Sequence, residues 1–313
     1  MDFPLADTDL LNPEQVCQGL EILGAPSAMA DIRLERHEDR WFAFLPGDRL
    51  AVFPLPAARA LAACERSVLR ALARRCSFVA PRILAEAPDG SCDLRAMVPG
   101  THATYAVYAR VRDDTANATK VGRVLGGMIA ELHTQVRSAD LAVPLPVTPN
   151  WPEPRDWIRE RLPHVIDDAA LAAAADRIIA QLEDSGIAGQ AADRVLVHTD
   201  LGLHNIAIDP DSLTVHGIFD WEAACWSDRH LDFRHLVLNA TRHPLFDAAA
   251  AVYAERTGIS VSRDRVYLHN AAMAVSYLAF RHGIAPEENW CGRTLAEDLH
   301  WTRTAIARVG VPV

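Results

Sequence analysis

One stretch of the sequence, residues 195–233, restricts the possible folds and functions of this chain more than any other. Its first apolar run, at 195–197, leads directly into Asp200, and Asn205 follows five residues later. A later apolar run ends at Asp220. Because short apolar runs predict buried strands, we expect two acids and one asparagine on loops at the ends of strands.

Phosphoryl transfer requires this set of side chains. A carboxylate orients and deprotonates the attacking hydroxyl, while an asparagine oxygen and a second carboxylate hold Mg²⁺ against the nucleotide phosphates. Asp200 and Asn205 have the spacing of the H-x-D-x-x-x-x-N catalytic loop of kinases, and Asp220 corresponds to the D-F-G aspartate. Turns also favour Asp and Asn, so the prediction depends on the ordered set of three.

The same stretch resembles the aminoglycoside phosphotransferase and choline kinase-like family. The family pattern is close to H-G-D-L-x-x-x-N, then [IV]-D-[WF], then G-D-x-x-x-D-[LF]. The matching residues here are His198-Thr199-Asp200-Leu201 with Asn205, then Phe219-Asp220-Trp221, then Ser227-Asp228 with Asp232-Phe233. The resemblance implies a bilobal protein-kinase-like fold of the α+β class. It also implies Asp200 as the catalytic base and Asn205 and Asp220 as magnesium ligands. For Asp232 we expect a structural role, in which it caps or braces the catalytic loop.

The resemblance further implies how the chain is divided. We expect a small β-rich nucleotide-binding lobe at 1–99 and a larger α-rich lobe at 100–313 that carries catalysis and substrate binding, joined at Pro99-Gly100. ATP or GTP and Mg²⁺ are the implied cofactors. The residues expected to line the nucleotide site in the first lobe are Glu65, Ala96, Met97 and Val98.

Hydrophobic periodicity and turn residues agree with this division. In the first part they predict helices at 12–23 and 56–76 and strands at 31–36, 41–45, 49–55, 82–86 and 92–98. In the second part they predict helices at 117–136, 154–163 and 168–184, strands at 194–198, 205–208 and 214–219, and mainly helix from 229 to 309. Gly122, Gly126 and Gly127 lie inside a predicted helix, which favours close helix packing over a dinucleotide-binding loop.

Two elements of the family pattern are altered in the first lobe. Kinases place a basic residue on the third strand, where it pairs with a helix glutamate and contacts the phosphates. Val52 occupies that position here, and Lys120 is the only lysine in the chain. The phosphate-covering loop, expected near 36–41, contains no glycine. We expect nucleotide binding to be weakened by the missing contact but not abolished.

Glu65 raises a related question. It shares a predicted helix face with Leu61, Leu69 and Leu72 and should therefore point inward. A buried carboxylate is costly unless it is paired or protonated. We hypothesise that an arginine supplies the missing cation, and the two candidates are Arg49 and Arg95. A solvated Glu65 would need no such partner.

Composition narrows the choice of function. The 313 residues carry a net charge of −10, which argues against sequence-independent binding to nucleic acid or anionic lipid. Six dispersed cysteines without a CxxC pair favour a reducing compartment. No apolar run approaches the length of a spanning helix, and the first residues do not resemble a secretory signal. We expect a cytoplasmic protein, monomeric or homodimeric.

These observations predict an ATP-dependent O-phosphotransferase that acts on a small-molecule hydroxyl, such as that of an aminoglycoside, a macrolide or an amino alcohol. Acids after the junction would suit a cationic acceptor, although a solvated face explains them too; they are Glu153, Asp156, Asp228, Glu287, Glu288, Glu297 and Asp298. Two alternatives stay open. One is a pseudokinase-like binding protein that lacks the N-lobe lysine. The other is a hydrolase that binds zinc through histidines at 198, 204, 216, 230 and 235.

Overall fold

The computed structural model describes residues 11–37, 39–238, 242–290 and 292–312. The chain forms two compact units, and this division agrees with the predicted α+β class. The first unit comprises Met1–His102, Gln135–Pro144 and Asn205–Glu222. The second comprises Ala103–Thr134, Leu145–His204 and Ala223–Val313.

The elements follow the chain in this order. The strands are β1 (Arg33–His37), β2 (Arg40–Leu45), β3 (Arg49–Pro54), β4 (Arg82–Glu86), β5 (Asp93–Ala96), β6 (Thr101–His102), β7 (Arg194–Val197), β8 (Ile206–Ile208), β9 (Val215–Ile218) and β10 (Cys225–Asp228). The helices are α1 (Pro13–Ile22), α2 (Arg59–Arg75), α3 (Tyr105–Asp113), α4 (Thr115–Gln135), α5 (Arg155–Arg161), α6 (Ala169–Asp184), α7 (Pro244–Thr257), α8 (Arg263–Phe280) and α9 (Leu295–Arg308).

An antiparallel sheet in the order β1-β2-β3-β5-β4 forms the first unit's main framework. The helix α1 begins at a capping box, in which Asn12 and Gln15 satisfy each other's backbone amides. Its Val16 and Leu20 are fully buried in a core shared with strand residues such as Phe53. Ala43 and Leu45 of β2 and Ala51 of β3 are buried in the same core, so these strands supply the sheet face on which α1 packs.

The buried face of α2 differs in one respect from the prediction. Glu65, Leu69 and Leu72 are buried as expected, but Leu61 is 41% exposed. Leu61 lies in the first turn of the helix, where the core has not yet closed around it. The inward orientation of Glu65 is confirmed.

The second unit is mainly helical, with α8 packed against α6 and α9. Their shared core contains fully buried Leu171, Ile178, Val275 and Ile306, and partly buried Trp157 and Trp301 pack against it. The predicted close approach at Gly122 and Gly126 is confirmed, because a Cβ at either residue would overlap a carbonyl oxygen of α7. No helix among the described residues is long and apolar enough to cross a membrane.

Among the described residues, α3 and the strands β6 and β10 were not predicted, whereas Arg229–Leu236, expected to be helical, forms a 3₁₀ helix. The strand β10 contains Trp226, Ser227 and Asp228 and has no apolar run that would reveal it. It forms because it pairs antiparallel with β7, with Cys225 opposite Val197.

Candidate active site

Two of the predicted site residues lie at one end of the β8–β9 hairpin. Asn205 directly precedes β8, and Asp220 follows β9 by two residues. The Phe219 amide donates to the Asn205 carbonyl at 3.0 Å, which extends the pairing of Ile206 with Ile218 by one step. The hairpin therefore brings the backbone of the two predicted magnesium ligands together. An amide oxygen and a carboxylate are donors that fit Mg²⁺.

The backbone at Asp220 is unusual. Its φ is 67°, in the left-handed region that side-chain-bearing residues seldom adopt. The following residue, Trp221, is fully buried and donates its indole hydrogen to the Ile218 carbonyl at 3.1 Å. Its ring also stacks on Phe78, with centroids 6.2 Å apart. The tryptophan thus anchors the turn that carries the Asp220 carboxylate.

Glu65 is held by two arginines rather than by a lysine. Arg95 donates to both of its carboxylate oxygens, at 2.6 and 3.1 Å, and Arg40 donates to Oε2 at 2.9 Å. Burial opposes ionisation, but the charges and hydrogen bonds of Arg95 and Arg40 lower the pKa of Glu65. Arg95 is therefore confirmed as a partner of Glu65. The position of the missing basic residue, Val52, is fully buried and apolar.

The other candidate, Arg49, is wrong as a partner of Glu65, since its Nε donates to the Pro46 carbonyl at 3.0 Å. Arg40 was not predicted at all. It begins β2, inside the 36–41 segment where a phosphate-covering loop was expected; Glu38 of that segment lies outside the described residues. In the sequence, Arg40 stands out only as a basic residue at the start of an apolar strand. That strand pairs with β3 in the structure.

Arg40 has two further carboxylate partners. Its Nε donates to Asp39 at 2.8 Å, and Nη2 lies 2.7 Å from Oε2 of Glu222. Burial raises the pKa of Glu222 to about 7; the charge of Arg40 lowers it, and the charge of Asp220 raises it. Glu222 lies two residues from Asp220 and is paired with the Arg40 guanidinium.

The segment predicted to contact the nucleotide base ends β5. Ala96 is the last residue of that strand, opposite Arg49 and Arg82. The Met97 amide donates to the Asp48 carbonyl at 2.9 Å, so this N–H is already satisfied within the protein. The Met97 side chain is 38% exposed, whereas Val98 is buried.

Asp200 lies in the second unit, and both of its carboxylate oxygens contact imidazoles. His235 Nε2 is 2.9 Å from Oδ1, and His204 Nε2 is 3.0 Å from Oδ2. Burial opposes ionisation of Asp200, but hydrogen bonds from His204 and His235 hold its pKa well below the usual range. Burial also lowers the pKa of His235 to about 4, so at neutral pH a neutral imidazole donates to the carboxylate.

The loop before Asp200 is braced by a buried carboxylate. Asp232 accepts hydrogen bonds from the His198 and Thr199 amides at 3.1 and 3.0 Å, and from His133 Nε2 at 3.0 Å. The predicted bracing role of Asp232 is confirmed. Thr199, which stands where the family pattern has glycine, has a φ of 74°. A β-branched residue is strained there, and Asp232 helps to hold it.

The histidines that suggested a zinc site have other partners. His204 and His235 contact Asp200, and His230 contacts Asp228 at 2.5 Å. Within the described ranges, no three His, Cys, Asp or Glu side chains are grouped so as to hold a metal ion. The roles of His204 and His235 had escaped the sequence prediction, because their clustering along the chain does not reveal which carboxylate they meet.

Known proteins similar to this chain include several phosphotransferases. A family model described as "Phosphotransferase enzyme family" matches residues 33–269. Streptomycin 3''-kinase of Streptomyces griseus is 38% identical over 86 residues, which are 26% of this chain and 32% of that kinase. The match thus spans about a third of the curated relative's length.

Two solved structures cover nearly the whole chain. The GDP complex of wild-type aminoglycoside 2'-phosphotransferase-IIIa has a TM-score of 0.66 at 17% identity, and the alignment covers 95% of this chain and 99% of that one. Macrolide 2'-phosphotransferase MphH from Brachybacterium faecium has a TM-score of 0.62 at 20% identity, with 96% and 98% covered. At these identities the likeness is evidence for the fold.

Proposed function

The chain belongs to the phosphotransferase enzyme family and has its protein-kinase-like fold, and from this premise we propose that it transfers the γ-phosphoryl group of ATP or GTP to a hydroxyl of a small molecule. In this proposal Asp200 is the catalytic base, and Asn205 and Asp220 hold Mg²⁺. The observation that supports it most directly is the β8–β9 hairpin, at one end of which both metal-ligand candidates lie.

The state of Asp200 fits this chemistry. Phosphoryl transfer passes through a loose transition state, so the base mainly orients the acceptor hydroxyl and accepts its proton late. A carboxylate held ionised by two imidazoles can do this over a wide pH range. A Mg²⁺ ion held by Asn205 and Asp220 would offset the negative charge that develops on the phosphate oxygens. Glu65, Ala96, Met97 and Val98 remain the proposed nucleotide-lining residues.

For the acceptor we propose an aminoglycoside, a macrolide or an amino alcohol. Several of the acids considered for a cationic acceptor are already engaged. Asp298 is buried between Arg281 and Arg293, Asp228 is buried beside Arg265, and Glu297 caps α9. Recognition of a cation would fall to the other acids of that set. Streptomycin is the first acceptor to test, given the relative that bears its name.

The test is phosphotransfer from Mg-ATP to streptomycin, kanamycin and a macrolide, followed by ADP release and mass spectrometry of the acceptor. We expect Asp200→Ala to lower turnover by about 10²–10⁴-fold, the usual contribution of a general base, with nucleotide affinity kept. Asn205→Ala and Asp220→Ala should raise the Mg²⁺ concentration required. Asp211→Ala, an exposed acid in the β8–β9 turn, is the matched control and should behave as wild type.

The alternative is a pseudokinase-like binding protein, which the apolar Val52 favours. It predicts no transfer to any acceptor and the same basal ATP hydrolysis in wild type and Asp200→Ala. That pair of results would overturn the proposal.

A further inference from the structure

A basic residue on a strand that pairs with β3 contacts the helix glutamate Glu65. On β2, Phe42 is opposite Val52 of β3, and Arg40 lies two residues before Phe42. Its side chain is only 2% exposed, and its guanidinium contacts Asp39, Glu65 and Glu222. Such a buried cation is retained only where carboxylates compensate its desolvation.

The two arginines on Glu65 differ in what else they bind. Arg95 is enclosed, since it shares its donors between Glu65 and Asp93, which are both buried. Arg40 instead reaches from buried Glu65 to Glu222, whose side chain is 28% exposed. Of these two arginines, Arg40 is the one that connects the helix α2 to the segment that carries Asp220.

We propose that Arg40 is a positioning residue for Asp220, which it holds by bridging Glu65 of α2 to Glu222. This inference rests on the proposed function, in which Asp220 is a metal ligand. The bridge is an alternative to the family's third-strand basic residue, because it links the helix glutamate to the metal-ligand segment without a lysine. In this proposal Arg40 acts through Glu222 and not as a phosphate ligand, because each of its three guanidinium nitrogens contacts a carboxylate.

The geometry around Asp220 explains why such a hold is needed. Its left-handed backbone is disfavoured for a residue with a side chain, so neighbouring contacts must keep it in place. Trp221 anchors the segment on one side of the turn, through its indole and its stacking on Phe78. The ion pair of Glu222 with Arg40 adds a second anchor one residue further along.

The experiment measures ADP binding by isothermal titration, once with Mg²⁺ and once with EDTA. We expect Glu222→Ala and Arg40→Lys to weaken Mg-ADP binding about tenfold and to leave metal-free ADP binding unchanged. Turnover should fall with the KM for the acceptor unchanged, and Glu222→Gln, which keeps an acceptor for the guanidinium, should recover part of the loss. Arg49→Met, on the adjacent strand, is the matched control and should bind like wild type.

Each contrary outcome has a definite meaning. Unchanged Mg-ADP binding in folded Glu222→Ala would overturn the positioning role and leave Arg40 with a purely structural one. Equal weakening with and without Mg²⁺ would also overturn it, because the loss of affinity would then not depend on the metal that Asp220 is proposed to hold. Glu222 is partly exposed, so its variants keep the test decisive if Arg40→Lys does not fold. Wild type that neither binds Mg-ADP nor transfers phosphate would refute the proposed function itself.

Discussion

At the residue scale, the environment of Asp200 departs most from what the motif alone suggests. The motif requires a carboxylate five residues before an asparagine, and the fold adds an imidazole on each carboxylate oxygen. His235 is the more constrained of the two, with 12% of its side chain exposed against 55% for His204. A fixed donor on one oxygen restricts rotation of the carboxylate and leaves further lone pairs for the acceptor hydroxyl.

We expect His235→Ala to lower phosphotransfer turnover about tenfold or more, with the KM for ATP little changed. Hydrogen bonds hold the pKa of Asp200 low, so loss of one donor raises that pKa. The acid side of the pH–rate profile should therefore move to higher pH. His235→Gln, which keeps an N–H donor, should restore part of both effects. An unchanged profile in His235→Ala, matching that of the exposed control His282→Ala, would contradict this prediction.

Residue roles were predictable where the sequence itself contains the spacing. Asp200, Asn205 and Asp220 stand in a local pattern, and Asp232 follows in the same stretch. Arg40 and His235 were not predictable, because their importance depends on contacts with Glu65 and Asp200 made only in the folded chain. Arg95 could be proposed, since it lies on a strand next to β3 and a buried glutamate needed a partner.

At the element scale, the glycines of α4 show how closely two helices approach. Gly122 and Gly126 face the backbone of α7, whereas Gly127 faces the side chain of Arg256. Carbonyl oxygens of a helix cannot move aside without moving the helix, but an arginine side chain can change its rotamer. Adjacent glycines of one helix therefore differ in their tolerance of a methyl group.

We expect Gly126→Ala to lower the free energy of unfolding by about 1–3 kcal/mol, as overpacking does, although alanine favours the helix by about 1 kcal/mol. Gly127→Ala should be nearly neutral or slightly stabilising. Its Cβ would lie 3.1 Å from the Arg256 guanidinium, and that side chain can change its rotamer to make room. Urea unfolding of both variants checks this. Equal effects of the two substitutions would show that the α4–α7 approach is not limiting.

Elements with their own periodicity were predicted within a few residues, as α2, α4 and α6 illustrate. The strand β10 was missed because its stability comes from β7 and from a hydrogen bond of the Trp226 amide to the Pro146 carbonyl at 2.9 Å. Leu61 was misplaced for a related reason. A helical repeat specifies one face of α2, but only the packed core decides where along that face burial begins.

At the scale of the whole molecule, buried imidazoles make stability depend on pH. Burial lowers the pKa of His235, His243 and His269 to about 4 each. In the unfolded chain they accept protons below about pH 6.5. The unfolded state therefore binds more protons between these values, and folding stability decreases as the pH falls.

We expect the free energy of unfolding to be highest above about pH 6.5 and to decrease as the pH falls toward 4. Each unit of pKa difference corresponds to about 1.4 kcal/mol. Urea unfolding at pH 7.5, 6.0 and 5.0 measures this, and His269→Gln, which does not titrate, should show a weaker dependence. A constant free energy from pH 7.5 to 5.0 would contradict the prediction.

The doubly occupied carboxylate of Glu65 has a consequence for transplanting residues from relatives. Its two oxygens already accept three hydrogen bonds from Arg95 and Arg40, so a lysine grafted at residue 52 would bring a third cation to a carboxylate whose charge two guanidinium groups already offset. The graft would also put an ammonium group where an enclosed valine now packs. A lysine at residue 52 would thus require simultaneous substitutions on two strands, because Glu65 and its present arginine partners compensate each other's charge.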